Sequence, residues 1–193
     1  MSKFFLSVLV ILFFSCNNSG SKNPQLKITT GYGDIIVELY PKQAPKTVAA
    51  FLSYIDSGYY INSSFYRVIL LEGLSPAGNV GLIQGGIYNT NDKKFPNVPG
   101  IEHESTKQTG LTHTSGTISL ARTTPGTANT EFFICIGDQS QFDYGKVSEG
   151  DSLGFAAFGK VINGMPVVRK IQDQKKHEQR FNEKIAISKI ERF

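Results

Sequence analysis

The sequence predicts a mainly β domain, a closed barrel capped by two α-helices. Residues 26–30, 35–40, 65–69, 117–121, 132–136 and 156–161 are short runs rich in β-branched and aromatic residues, bounded by Gly, Asn or Pro. Many short strands with turn signals between them are the mark of a barrel or sandwich. Two other stretches carry a helical period, and two helices can close a barrel at its ends. With 193 residues, 40% of them hydrophobic and 19% charged, the chain has the composition of one globular domain and shows no internal repeat.

The chain opens on Lys3, an apolar run over 4–14, then Ser15-Cys16. This is the layout of a secretory signal, and the run is short of the ~20 residues a permanent span needs. A small residue followed by Cys16 resembles the lipobox of bacterial lipoproteins, although Phe13 and Phe14 are bulkier than its usual residues; an ordinary signal with an incidental Cys is the alternative. The resemblance implies lipidation of Cys16 and a membrane-anchored lipoprotein facing the periplasm or cell exterior. Residues 17–25, rich in Asn, Ser, Gly and Lys, read as a flexible tether. The folded domain is then expected over 26–193.

In residues 45–58, Val48, Phe51, Leu52 and Ile55 fall on one helical face, with Pro45 suited to the first turn and Gly58 to the stop. The second helix is expected over 164–175, with Met165, Val168 and Ile171, joined by Val167, on its face. The net charge is +4, and the densest basic run, 170–180, is interrupted by Asp173 and Glu178. It reads as a solvated helix face, with no nucleic acid as partner. Cys135 alone would accompany Cys16, so no internal disulfide is expected, and Cys135 reads as a buried core residue. His103, His113 and His177 lack metal-helix spacing, so neither a metal nor another cofactor is expected.

Arg67 stands in the apolar run Phe65-Tyr66-Arg67-Val68-Ile69. A guanidinium among apolar strand residues costs desolvation unless it is paired or used. Around it, in order, come Gly31-Tyr32-Gly33-Asp34, Ala44-Pro45-Lys46-Thr47, Gln84-Gly85-Gly86, Ser119-Leu120-Ala121-Arg122, Glu131-Phe132-Phe133-Ile134-Cys135 and Phe158-Gly159-Lys160-Val161. Together these blocks resemble the cyclophilin family of peptidyl-prolyl cis/trans isomerases from about residue 26 to the end. The resemblance implies an eight-stranded antiparallel barrel with a helix over each opening and an active groove on its outer wall.

The resemblance also implies roles. Arg67 would be catalytic, donating to the prolyl nitrogen as the amide twists. Gln84 would hold the substrate carbonyl region, with Gly85 and Gly86 turning the chain tightly beside it. The backbone at Ala121 and Arg122 would pair with a proline-containing polypeptide as an added strand. Phe133 would floor the proline pocket, and Phe65, Leu82, Glu131, Phe142 and Phe155 complete the expected substrate-binding set.

The chain departs from the family pattern in four places. Tyr66 replaces a common His and is expected to point away from the pocket. Glu131 stands where Gln is frequent, and is expected to pair with Arg67. Gly81 stands where an aromatic wall residue is usual, which would open one side of the pocket. An insertion over 70–80 has loop composition and could supply the lost wall through Leu70, Leu71 or Leu74, or contact a partner.

The functional expectation is therefore an isomerase that assists folding of exported proteins, acting as a monomer on unfolded or partly folded chains. The alternatives are a catalytically weak module that binds proline-containing segments, and a structural lipoprotein without a groove. The chain has no Trp, a residue many drug-sensitive relatives use, so weak binding of cyclosporin-like ligands is expected.

Overall fold

The computed structural model describes residues 23–71, 78–88, 98–146 and 151–192. The expected signal peptide with Cys16, residues 17–22 of the expected tether, and Leu74 with the rest of 72–77 lie outside the described residues. In chain order the elements are β1 (Gln25–Thr30), β2 (Gly33–Leu39), α1 (Pro45–Asp56), β3 (Ser63–Leu71), β4 (Val80–Gly86), α2 (Thr106–Thr109), β5 (Thr117–Leu120), β6 (Phe132–Ile136), β7 (Ala156–Asn163), α3 (Met165–Gln172), β8 (Lys176–His177) and β9 (Arg180–Arg192).

Strands pair in the order β1-β2-β7-β5-β6-β4-β3-β9, and β1 pairs back to β9. Every pairing is antiparallel, so eight strands close into a barrel without an open edge. The short β8 pairs only with the start of β9. Its two-residue turn, Glu178-Gln179, begins with Glu178 at φ 53°.

Alternation along the strands sorts side chains between interior and outer wall. On β6, Phe132, Ile134 and Ile136 join the interior cluster, while Phe133 and Cys135 belong to a separate small cluster with Leu82. The interior is a packed core rather than a channel, so a ligand site has to be on the outside. Helix α1 lays Phe51 into that core, its ring 4.9 Å from Phe158, 5.2 Å from Tyr60 and 5.6 Å from Phe132. The buried α1 face is Thr47, Val48, Phe51 and Tyr54, with the predicted Leu52 and Ile55 only half-buried. The face rotates because Thr47 is fixed from outside the helix. Glu104 accepts from the backbone N–H of Lys46 and Thr47 and from the Thr47 hydroxyl at 2.7–3.1 Å. It thereby satisfies donors that Ala44, which has no capping side chain, leaves open.

Helix α3 buries Val168 and Ile171, with Met165 and Val167 packed against the core. It ends at Gln172, so the basic run 170–180 passes from helix through a hairpin to β9 and is not one helix face. A third, single-turn helix, α2, was not signalled by any periodicity. Gln25 belongs to β1 rather than to the tether. The insertion is also partly strand. Leu70, Leu71 and Val80 extend the β3–β4 ladder, with Leu71 opposite Val80.

Strand β4 went unrecognised because three of its residues are glycines, which usually mark turns. Gly85 and Gly86 are ladder residues, not a turn. A Cβ at Gly85 would meet Phe65 and the Ser64 carbonyl at 2.8 Å, and one at Gly86 would fall within 2.5 Å of the Glu131 carboxylate. Gly81 has φ +141°, and a Cβ there would lie 2.0 Å from the Ile69 carbonyl oxygen. The position therefore excludes any side chain for a backbone reason. Gly81→Ala is expected to lower stability by about 2 kcal/mol or more. Denaturant unfolding checks this; an unchanged midpoint would mean the ladder relaxes at no cost.

Candidate active site

On the outer wall, side chains from β3, β4 and β6 and the segments after β5 and β6 line a groove of about 500 Å³. Arg67, Leu82, Gln84, Ala121, Arg122, Glu131, Phe133, Phe142 and Phe155, all expected in the site, line it together. Phe65 does not; it is fully buried in the interior, its ring 5.8 Å from Phe132. The β3 register shifts between Phe65 and Arg67, so Phe65 faces inward although period-2 alternation would place it on the same face as Arg67.

The floor of the groove is aromatic. The Phe133 ring meets Phe142 at 5.5 Å and Phe155 at 5.5 Å, both near-perpendicular, and those two meet each other at 5.3 Å. Such edge-to-face contacts hold rings at fixed angles. Backbone pairing fixes them further, since Phe155 N–H donates to the Phe142 carbonyl at 2.9 Å. Arg122 secures the Phe155 segment. It donates to the Gly154 carbonyl, forms a bidentate pair with Asp151 at 2.7 and 2.8 Å, and places its guanidinium 5.4 Å from the Phe155 ring centre. That pairing holds the Asp151 carboxyl down to about 2.

Beneath Phe133 lies His113, fully buried and stacked at 5.9 Å. Its Nδ1 is 2.6 Å from Asp143 and its Nε2 3.0 Å from the Ser119 hydroxyl. Burial pushes the imidazole below its usual range, with Asp143 opposing. A ring that favours the neutral form suits an apolar floor. The sequence offered His113 only as a failed metal ligand.

A β-bulge shapes the polar wall. Phe65 pairs with Gly85 and Arg67 with Gln84, so Tyr66 is the extra residue in β3. The bulge turns Tyr66 toward the groove side, where strict alternation predicted it would point away. Its hydroxyl donates to Glu131 Oε2 at 2.6 Å and accepts from Gln84 Nε2 at 2.8 Å. Glu131 also accepts from the Ile87 and Tyr88 backbone N–H groups at 2.8 and 3.1 Å and from the Thr130 hydroxyl. The expected Arg67–Glu131 pair is not formed. Arg67 donates from Nη1 to Gln84 Oε1 at 3.1 Å, and from Nε and Nη2 to Gln179 Oε1 in the β8–β9 turn.

Arg67 forms no ion pair among the described residues. Amide oxygens fix its fork while leaving its charge uncompensated at the groove, which a direct carboxylate would have quenched. Gln179 escaped sequence reading because it lies 112 residues from Arg67 and sits in no motif. The turn also binds the bulge through its backbone, where the Gln179 carbonyl accepts from Val68 N–H at 2.9 Å.

Ile69, Thr123, Thr127 and Asn129 line the groove as well. Ile69 was findable, two residues from Arg67 and hence on the same strand face. It supplies apolar lining that was expected from Leu70 or Leu71, neither of which reaches the groove. Cys135 is fully buried behind Leu82 and Phe133, and burial pushes its thiol well up, away from reactivity.

Comparison with known proteins agrees with this architecture. Residues 25–192 match the family described as "Cyclophilin type peptidyl-prolyl cis-trans isomerase/CLD". The chain is 33% identical over 167 residues to peptidyl-prolyl cis-trans isomerase A of Dickeya dadantii, covering 86% of this chain and 80% of that protein. It is 35% identical over 147 residues to peptidyl-prolyl cis-trans isomerase B of Escherichia coli, covering 74% and 80% of the two. The fold is similar to a Cryptosporidium parvum cyclophilin type isomerase at TM-score 0.68 and 24% identity, covering 89% of this chain and 98% of that one. The same protein has been solved in the presence of the dipeptide Ala-Pro. With barrel closure, groove and matched span in register, this chain belongs to the cyclophilin-type peptidyl-prolyl cis-trans isomerase family.

Proposed function

We propose that the groove accelerates cis/trans rotation about Xaa-Pro bonds in unfolded or partly folded polypeptides outside the cytoplasm. The observation that carries the reading is Arg67: a guanidinium held in orientation by two amide side chains, uncompensated by an ion pair, on a groove floored by Phe133.

Rotation about a prolyl amide makes and breaks no bond to another atom, yet its barrier is ~18–20 kcal/mol because partial double-bond character is lost. Catalysis therefore needs only differential binding of the twisted amide. Twisting pyramidalises the prolyl nitrogen and localises a lone pair on it. A fixed cationic donor engages that lone pair only in the twisted geometry, and it acts in a partly dehydrated groove where its effect is large. The aromatic floor holds the ring while Gln84 takes the carbonyl side. Ala121 and Arg122 follow the end of β5 on the groove rim, where a peptide backbone can lie alongside.

The alternative, a binding module with poor turnover, rests on two departures, Gly81 and the insertion over 70–80. Gly81 is required by its own backbone, and Ile69 lines the groove, so Gly81 does not argue for that alternative. Phe142 occupies the groove near where drug-sensitive relatives often have Trp, which supports weak affinity for cyclosporin-like ligands. The apolar leader ending at Cys16 supports export and a lipid anchor, and the modest, scattered charge suits a monomeric enzyme with varied clients.

Arg67→Ala in the full chain is expected to reduce acceleration of a short Xaa-Pro peptide about 100-fold, the scale of one lost transition-state donor. Its unfolding midpoint should stay near that of the wild type. Turnover unchanged by the substitution would remove Arg67 from the mechanism. Cys16→Ser is expected to move the protein from the membrane fraction to the soluble one; retention in the membrane would rule out lipidation of Cys16 as the anchor.

A further inference from the structure

The hydrogen-bond chain behind Arg67 has two ends that can each act in only one sense. A guanidinium donates and never accepts, and a carboxylate accepts and never donates. Between them stand Gln84 and Tyr66, each able to bond either way round. Ionised Glu131 obliges the Tyr66 hydroxyl to donate to it, at 2.6 Å. The Tyr66 oxygen must then accept from the Gln84 amide nitrogen, at 2.8 Å. That leaves the Gln84 carbonyl facing Arg67 Nη1, at 3.1 Å. The orientation of the Gln84 amide is thus set two groups away, by a carboxylate that makes no hydrogen bond to Arg67.

We propose that Tyr66 and Glu131 are positioning residues for the isomerase reaction, forming a one-directional hydrogen-bond chain that locks the Gln84 amide and presents the Arg67 fork with its charge unquenched. The proposal rests on the isomerase reading given above. Three features show that the chain is built rather than incidental. Glu131, just before β6, is 7% exposed, an expensive place for a carboxylate. Its other oxygen is anchored by two backbone N–H groups and the Thr130 hydroxyl, so it cannot swing toward Arg67. Gly86 leaves the space the carboxylate fills, since a Cβ there would lie 2.3 Å from Oε1.

Reversal of the chain defines its test. In Glu131→Gln the side-chain oxygen stays with the Ile87 and Tyr88 N–H groups, so the new amide donates to Tyr66. The Tyr66 hydroxyl then turns to Gln84, whose carbonyl must face it. The Gln84 amide N–H groups are left against the Arg67 donors, and the fork is displaced. Protonation of Glu131 has the same consequence.

Burial raises the Glu131 carboxyl above its ordinary range, with its hydrogen bonds opposing. The folded state therefore holds a proton that the unfolded chain releases. The associated stability is present below the ordinary carboxylate range and is lost as pH rises through the raised value. Ionised Glu131 thus costs stability at neutral pH. A merely structural role predicts a destabilised Glu131→Gln; a positioning role predicts a variant as stable as the wild type, or more so, and slower.

Other titratable or charged groups face this carboxylate. Tyr66 and Arg67 do so from β3, Tyr60 from the segment after α1 and Tyr88 from the end of β4, while Glu178 and Arg180 lie across the adjoining pocket. All variants are therefore compared in a Glu178→Gln background, which leaves Glu131 as the carboxyl on that pocket. Tyr66→Phe, Glu131→Gln and the double variant are assayed in the full chain with an Xaa-Pro peptide that lacks ionisable side chains.

Each single substitution is expected to lower kcat about tenfold, the scale of one misdirected hydrogen bond to a charged group, with KM within about twofold. The double variant should be no slower than the slower single, because both break one chain. Below neutral pH the parent should lose kcat along a limb that Glu131→Gln lacks. Losses that multiply in the double variant, an acidic limb retained in Glu131→Gln, or kcat within twofold of the parent would each overturn the proposal.

A second readout does not depend on turnover. The Arg67 Nε–H signal in ¹⁵N spectra should be ordered in the parent and averaged in both single variants. No acceleration by the parent would remove the isomerase reading while this test still decides the chain; an unchanged Arg67 signal in both variants would overturn it.

Discussion

A cation that must be rigidly aimed and yet not neutralised is the constraint around which this molecule is arranged. A guanidinium on a half-dehydrated strand face attracts carboxylates, and a direct ion pair would spend its charge on the protein. Here Gln84 and Gln179 accept from the fork instead. Their neutral oxygens give direction without compensation. Glu131, a buried carboxylate beside the groove, acts through Tyr66 and Gln84.

That solution draws on distant parts of the chain. The β-bulge in β3 puts Tyr66 and Arg67 together opposite Gln84. The β8–β9 turn closes over the bulge, binding it through backbone and side chain at once. Barrel closure through β1 and β9 brings that turn to β3, so the fold's topology and the aim of Arg67 are one problem. The packed interior matters for the same reason. A core anchored by Phe51, Phe132 and Phe158 leaves little freedom for strand shifts, and the wall that carries the site inherits that stiffness.

The apolar half of the groove follows a different logic. Phe133, Phe142 and Phe155 fix one another through edge contacts, and Arg122 with Asp151 secures the segment that brings Phe155 in. Under the floor, His113 is tied to Asp143 and Ser119. Polar groups hold the ring from behind, while the face presented to a ligand stays apolar.

The sequence by itself determined most of the barrel and the membership of the groove. Six of its strands, both longer helices and nine groove residues follow from period-2 and period-3.6 patterns and from ordered blocks, because those signals reside in neighbouring residues. Strand β4 was hidden by glycines that serve close backbone approach rather than turning. Phe65 shares the face of Arg67 by strict alternation, and only the bulge between them turns it inward. What only the tertiary structure decided is how Arg67 and the groove floor are held: the bulge that reverses Tyr66, the remote Gln179, the relayed Glu131 and the His113 buried behind Phe133. Each depends on a register shift or on a contact between residues far apart in the chain, and such contacts leave no periodicity to read.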